Sequence, residues 1–372
     1  MRVLVTGGAG FIGSHTVDQL IAKGHEVRIL DSLQPRVHPK GKPSWISTKA
    51  EFIKGDVSDP NDLGKALQGM DAVFHLAAYQ DYIPEFSKFI HTNTESAALI
   101  FELIVAKHLP IKKIVFASSQ SVCGEGKYIC KEHGLIVPLP RPIKQLEAGD
   151  WEIHCPHCDR YMEPILIDEA TVSPGTTYGI SKYAIELLAD RLGRRYDIPT
   201  VCMRYTYVQG TRNSFYNAYS GIARRFAMRI LHDLPPTIYE DGKQRRDYLN
   251  VKDVAKANVL VMEKDDANFK VFNVGGGQAI TVSEFADKML KALHSNLPAT
   301  INGDFRVGDT RHTVSDISRM QALGWQPTIS IDETIEEYVG WIKEQSHTAE
   351  FLEEAERTMK ELGVVRPVKR QA

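Results

Sequence analysis

The opening stretch, "RVLVTGGAGFIGSHTVDQLIAKGHEVRILD", constrains this chain more than any other part of it. Val3, Leu4 and Val5 form a short apolar run, and Gly7, Gly10 and Gly13 punctuate a turn. Ile12, Val17, Leu20 and Ile21 then recur at helical spacing. Gly24 ends that helix, and Val27 to Leu30 form a second apolar run closed by Asp31. Strand, glycine turn, helix and strand in this order predict a dinucleotide site. The first glycine permits the tight turn, the second lets backbone approach a pyrophosphate, and the third lets the helix pack on the strand. The helix N-terminus offers free N–H groups and a positive dipole end to the phosphates. A carboxylate at the end of the second strand accepts hydrogen bonds from a ribose hydroxyl and repels a 2′-phosphate. Asp31 therefore predicts NAD; Arg36, close behind it, is the feature that would suit NADP.

Three more apolar runs follow. "AEFIKGD" ends at Asp56, a candidate for the adenine edge, next to Val57. "DAVFHLAA" ends in Leu76, Ala77 and Ala78, small enough at its tip for a cofactor to lie close, and "IKKIVFASSQSV" ends in serines. They alternate with helical stretches such as "NTESAALIFELIVAKHL", opened by Asn93. The alternation predicts an α/β fold, a doubly wound parallel (Rossmann) sheet with helices on both faces. Ligands of such sheets lie at the carboxyl ends of the strands. That places Phe11 and Ile12 of the glycine turn, Asp31, Asp56, Val57, Leu76, Ala77, Ala78 and Asn93 around the cofactor, and the serines at the mouth.

The bulk numbers exclude more than they assign. With 372 residues the chain suits two domains or one large one, and 43% hydrophobic and 25% charged residues are ordinary for a globular protein. A formal net charge of −2 gives no pull toward nucleic acid or anionic membranes. The chain enters its first strand directly, with no secretory leader, and holds no run of about 18 apolar residues, so neither export nor a membrane span is expected. Five cysteines, three of them clustered with histidine, then read as reduced thiols or metal ligands in a cytoplasmic protein rather than as disulfides.

"TTYGISKYAIELLADRLGRRY" places Tyr178 and Lys182 one helical turn apart and on one face. A free tyrosine is a poor base at neutral pH, but a neighbouring ammonium and a positive nicotinamide ring favour its phenolate. Tyr178 is therefore a candidate general base toward a sugar hydroxyl, with Lys182 as its cation. Ser119, and after it Ser121, are candidates to hydrogen-bond the same substrate oxygen.

With these residues in place, "TGGAGFIG", "GDVSD", "HLAA", "FASSQSVCG" and "YGISK" resemble the extended short-chain dehydrogenase/reductase family in its nucleotide-sugar epimerase branch. The similarity runs on through "RYTYVQG", "YEDGKQRRDYLNVKDVA", "FNVGGG" and "RVGDTRHTVSDISR", over nearly all of residues 1–345. The resemblance implies a nucleotide-diphosphate sugar as substrate, Arg246 and Arg306 facing its diphosphate and Asp309 a ribose. It also implies that Lys182 holds the nicotinamide ribose, and that the chain is a homodimer built on helices near 93–108 and 179–195. Related 4,6-dehydratases carry an Asp-Glu pair after the catalytic Ser or Thr. Gln120 and Ser121 stand there and cannot serve, which favours a 4-epimerase that passes through a transient 4-keto sugar, with hydride returned from bound NADH. A dehydratase or reductase is one alternative, and a non-enzymatic NAD sensor another. Gln80 stands where glucose/galactose-type UDP-sugar epimerases place Lys, and Tyr207 where the family often has Asn, so an unusual sugar is expected, with a UDP-sugar 4-epimerase of the glucose/galactose type as the further alternative.

Between Ser119 and Tyr178 the chain is longer than the family's usual interval. The surplus, about residues 126–164, is rich in Pro and polar residues, and a loop of that length needs a staple. Cys130, His133, Cys155 and Cys158 supply C-x2-H and C-x2-C pairs, the donor set of a closed, structural zinc site in a zinc-ribbon-like insertion; His154 and His157 are the alternative ligands. The insert and "NAYSGIARRFAMRI" resemble the subgroup of these epimerases acting on dTDP-6-deoxyhexoses of the L-rhamnose type. The expected domains are an NAD-binding unit over 1–204 and a smaller α/β substrate domain over 205–345, with a return to the sheet near 250–275. A helical surface tail is expected over 346–372.

Overall fold

The computed structural model describes residues 1–81, 83–214, 221–345 and 357–369. Its centre is a seven-stranded parallel sheet. The strands are β1 (Arg2–Thr6), β2 (Glu26–Asp31), β3 (Glu51–Lys54), β4 (Ala72–His75), β5 (Lys113–Ser119), β6 (Thr200–Tyr205) and β7 (Lys270–Val274). Their order, β7-β6-β5-β4-β1-β2-β3, reverses direction of winding between β1 and β4. A crevice opens outside the strand ends at that switch point.

The sheet forms because its strands are apolar on both faces, as a parallel sheet covered by helices requires. Successive side chains of a strand point to opposite faces. Val3, Val5 and Ile29 accordingly enter one core with Val17 and Leu20 of α1 (Phe11–Ala22). Leu4, Leu30 and Phe116 enter the other, with Leu63 of α2 (Pro60–Leu67), Ile100 of α3 (Ser96–Ala106) and Ile185 of α4 (Thr177–Arg195). The helix Val251–Glu263 adds Val254 and Val261 to the first core. The helical stretch opened by Asn93 begins as a widened π turn, Ile90–Glu95, before α3 proper.

A third core, including Phe226, Tyr248, Phe285, Met289 and Tyr338, lies under the helices Gly221–Leu231, Val282–Ala292 and Ile331–Lys343. The surplus segment is a small antiparallel sheet, Lys127–Cys130 between Gly134–Ile136 and Glu163–Ile165, with one short helix, Ile143–Glu147. The expected helical tail differs. Of its described part, residues 357–361 are helical, but Val365–Arg366 then forms a strand antiparallel to Phe305–Arg306. Residues 346–356 and 370–372, and the first four positions of "NAYSGIARRFAMRI", lie outside the described residues. No helix of the described residues is long and apolar enough to cross a membrane.

Candidate active site

One cleft of about 580 Å³ opens at the carboxyl ends of the strands. Its first half is built by the glycine turn. Gly7 has φ +68°, and a Cβ on Gly13 would stand 2.1 Å from the Gly7 carbonyl oxygen, so the turn closes only with glycine. This leaves a cradle in front of α1 with room for a pyrophosphate. Gly7, Gly10, Phe11, Ile12, Gly13, Asp31, Asp56, Val57, Leu76, Ala77 and Ala78 all line the cleft. The Asp31 carboxylate is aimed by two backbone donors, Ala9 N at 3.0 Å and Leu33 N at 2.9 Å. Arg36 also lines the cleft, but its guanidinium is paired with Asp81 at 2.9 Å. The residues present therefore fit NAD.

Asn93 has a different place. It is fully buried behind the wall, accepting from Tyr79 N (2.7 Å) and donating to Tyr79 O (3.1 Å) and Ser181 Oγ (3.0 Å). It ties the strand-end loop to the helix that carries the Tyr-Lys pair.

That helix starts where the chemistry is needed. Thr176 caps α4 by accepting from Gly179 N at 3.1 Å, so Tyr178 stands in the first turn on the cleft wall. Lys182 is fully buried, donates from Nζ to Ala117 O at 2.9 Å, and lies 5.8 Å from the Tyr178 ring centre. Burial brings its ammonium down to about 8. Ser119 closes β5, and its Oγ accepts from Ser121 N at 3.2 Å, leaving its own O–H to donate. The Ser121 hydroxyl is buried, lines the cleft and has no hydrogen-bond partner.

The far half carries the charge. Gln80, Tyr207, Arg246, Arg306 and Asp309 line it. Asp309 bridges the two arginines, accepting from Arg246 at 3.1 Å and Arg306 at 2.9 Å. Burial pushes the Asp309 carboxyl up, but Arg306, Arg246 and Arg141 outweigh it and hold it down at about 2. The ionised triad carries a net positive charge, which suits a diphosphate. Arg246 lies over the Tyr207 ring at 5.1 Å, and the Tyr207 hydroxyl meets Thr310 Oγ1 at 3.3 Å. Sequence reasoning missed Thr206, Gln209, Gln244, Tyr248 and Thr313, each lining the cleft with a buried polar atom that has no partner. A buried polar atom left without a protein partner on a cleft wall needs water or a ligand group to satisfy it, and no spacing in the sequence announces such atoms.

Away from the cleft, Cys130, His133, Cys155 and Cys158 place their donor atoms within 4.8 Å of one another. Cys130 Sγ lies 3.7 Å from Cys158 Sγ, and His133 Nδ1 lies 3.5 Å from both Cys130 Sγ and Cys155 Sγ. Tetrahedral zinc with thiolate and imidazole ligands has ligand-to-ligand edges of about 3.5–3.8 Å, so the set fits zinc. His154 is instead held by Asp150 at 2.7 Å and Asp159 at 3.0 Å, and His157 lies tilted beside His133, ring centres 5.0 Å apart, outside the set.

A doubly wound sheet with a dinucleotide cradle, a Tyr-Lys pair at its switch-point crevice and a cationic far end defines a nucleotide-dependent enzyme of the short-chain dehydrogenase/reductase kind. The model of the NAD dependent epimerase/dehydratase family matches residues 3–142 and 159–275, and the chain belongs to that family. The match breaks over 143–158, inside the insert. A dTDP-L-rhamnose 4-epimerase of Burkholderia thailandensis is 30% identical, over 92% of this chain and 95% of its own length. A putative UDP-glucose 4-epimerase of Methanocaldococcus jannaschii is also 30% identical, over 93% of this chain and its own full length, 100%. Among solved structures, the UDP-N-acetylglucosamine 4-epimerase of Methanobrevibacter ruminantium superposes with a TM-score of 0.74 at 30% identity, covering 93% of this chain and 99% of that one. The NAD complex of the UDP-glucose 4-epimerase of Thermus thermophilus gives 0.73 at 26%, covering 93% and 100%.

Proposed function

We propose that the chain is an NAD-dependent nucleotide-sugar 4-epimerase acting on a dTDP-6-deoxyhexose, homodimeric and with a structural zinc ion in its insert. The observation that carries this reading is one cleft lined together by Tyr178, Ser119 and Ser121, by the glycine cradle and by the Arg246–Asp309–Arg306 triad. The glycine turn and Asp31 would hold NAD, which would supply a reversible hydride acceptor for C4 of the sugar. The side chains do the rest. Tyr178 takes the proton of the C4 hydroxyl as the ketone forms and gives it back at the end, supported by the Lys182 ammonium. Ser119 and Ser121 hydrogen-bond the C4 oxygen, and the arginine pair holds the diphosphate while the sugar turns over between the two hydride transfers.

Three observations favour epimerisation of a 6-deoxy sugar. Gln120 spends its amide on Ser315 Oγ at 2.9 Å, and no acid–base pair follows Ser119, as a dehydratase would need. Gln80 lines the cleft where the glucose/galactose pattern has Lys. The Burkholderia relative is named for dTDP-L-rhamnose. The Methanocaldococcus relative keeps a UDP-sugar as the second reading.

The test is a screen of dTDP- and UDP-sugars with product analysis and C4-deuterated substrate. Deuterium retained in a C4 epimer, and a kcat about 10³-fold lower in Tyr178→Phe, are expected. Exchange of the label with solvent, or net accumulation of reduced cofactor, rejects the mechanism.

A further inference from the structure

The insert, whose middle interrupts the family match, does more than fold beside the enzyme: Glu152 within that break and Arg141 just ahead of it reach the loop that carries Arg306 and Asp309. Arg141 is buried between Glu125 (3.1 Å) and Glu240 (3.0 Å), and it also donates to the backbone carbonyl of Asp309 at 3.0 Å. Glu152 accepts from Arg311 at 2.6 Å through one oxygen and pairs with His312 Nε2 at 3.1 Å through the other. Arg311 is wholly buried and also pairs with Glu240 (3.0 Å) and Asp241 (2.7 Å). Its backbone N–H donates to Glu125 at 2.8 Å, and its carbonyl accepts from Arg246 at 2.9 Å.

Apart from the pairs of Arg141 with Glu125 and Glu240, each of these contacts involves the segment 309–312, between Arg306 and Thr313 of the cleft wall. Neither Arg141 nor Glu152 lines the cleft. A buried arginine without its carboxylates leaves an uncompensated charge, so these pairs hold one arrangement firmly. The ionised state is secure: burial raises the Glu152 carboxyl, but His312 and Arg311 outweigh it and hold it down at about 2.

We propose that Arg141 and Glu152 are positioning residues for nucleotide recognition. The insert fixes the 306–313 loop so that Arg246, Asp309 and Arg306 present a ready site for the diphosphate of the substrate. This deepens the function proposed above and rests on it for the identity of the ligand. The insert thereby sets affinity for the nucleoside diphosphate, not the rate of the chemical step and not the hold on NAD.

The test is equilibrium binding of dTDP and UDP, together with NAD affinity and, on the accepted sugar, the division between KM and kcat. Glu152→Gln keeps size and one acceptor. It is expected to weaken binding of the nucleoside diphosphate that the wild type accepts, and to raise KM, by about tenfold. NAD affinity and kcat are expected within about twofold of the wild type. Arg141→Met should do the same and Arg141→Lys should recover part of the loss. If Glu152→Gln does not fold, the Arg141 pair decides alone. Unchanged nucleotide affinity in a destabilised variant, or equal losses of NAD and nucleotide affinity, assigns these residues to plain stability and overturns the proposal. A wild type that binds neither dTDP nor UDP overturns it together with the proposed function, which separates the two failures.

Discussion

Lys182 shows how the site is held at a cost to the fold. Burial lowers its ammonium to about 8, so the folded chain binds that proton more weakly than the unfolded one. Below pH 8 the cost is fully present. Between about 8 and the ordinary lysine value near 10.4 the unfolded chain holds more protons, and stability rises with pH. Lys182→Met is therefore expected to melt higher than the wild type at pH 7, by about 3 kcal/mol at most, while losing nearly all turnover. A variant that melts lower contradicts the strained-cation reading. In the wild type, kcat should decline above about pH 8 as the charge beside Tyr178 is lost. At this scale the sequence discloses residues whose partners are near in the chain: Tyr178 and Lys182 by one helical turn, Asp31 by the end of its strand. Asn93 was misplaced beside the cofactor, and Arg141 and Glu152 stayed silent, because their roles depend on partners such as Ser181, Glu240 and Arg311, far away in sequence.

Among the elements, the insert is the one that cannot stand by itself. Its own core holds five buried residues, Tyr128, Cys130, Ile153, Cys155 and Met162, and two of these are proposed zinc ligands. So small a cluster does not order a loop without a staple. Removing the metal with a chelator, or making Cys155→Ser, should expose residues 126–164 to proteolysis while NAD stays bound. Metal analysis of the wild type should give about one zinc per chain. A zinc-free protein with the same melting temperature and protease pattern sinks the structural assignment. The clustering of Cys130, His133, Cys155 and Cys158 was legible because both pairs are local spacings. The antiparallel pairing around Lys127–Cys130 was not, because strands of three and four residues carry too little alternation to read. The strands of the central sheet are the opposite case: their apolar runs alternate with helical stretches, and their class was plain from the sequence.

For the molecule as a whole, two helices still show apolar surface. Ile180 and Leu187 on α4 are 50% and 45% exposed, seven positions apart on one stripe, and Phe86 and Ile90 lie exposed ahead of α3. A second copy of the chain is the expected cover, as in the proposed homodimer. Leu187→Arg should shift the protein to a monomer by light scattering with NAD binding retained; a monomeric wild type would falsify the assembly. The short ladder between Val365–Arg366 and Phe305–Arg306 bears on how such a molecule is made. Strand β7 ends at Val274, so on a translating ribosome the cofactor cradle is complete long before Val365 is synthesised. A nascent chain can therefore form the dinucleotide cradle early, whereas Phe305–Arg306, next to the proposed phosphate site, gains its partner strand only once Val365 has emerged from the exit tunnel.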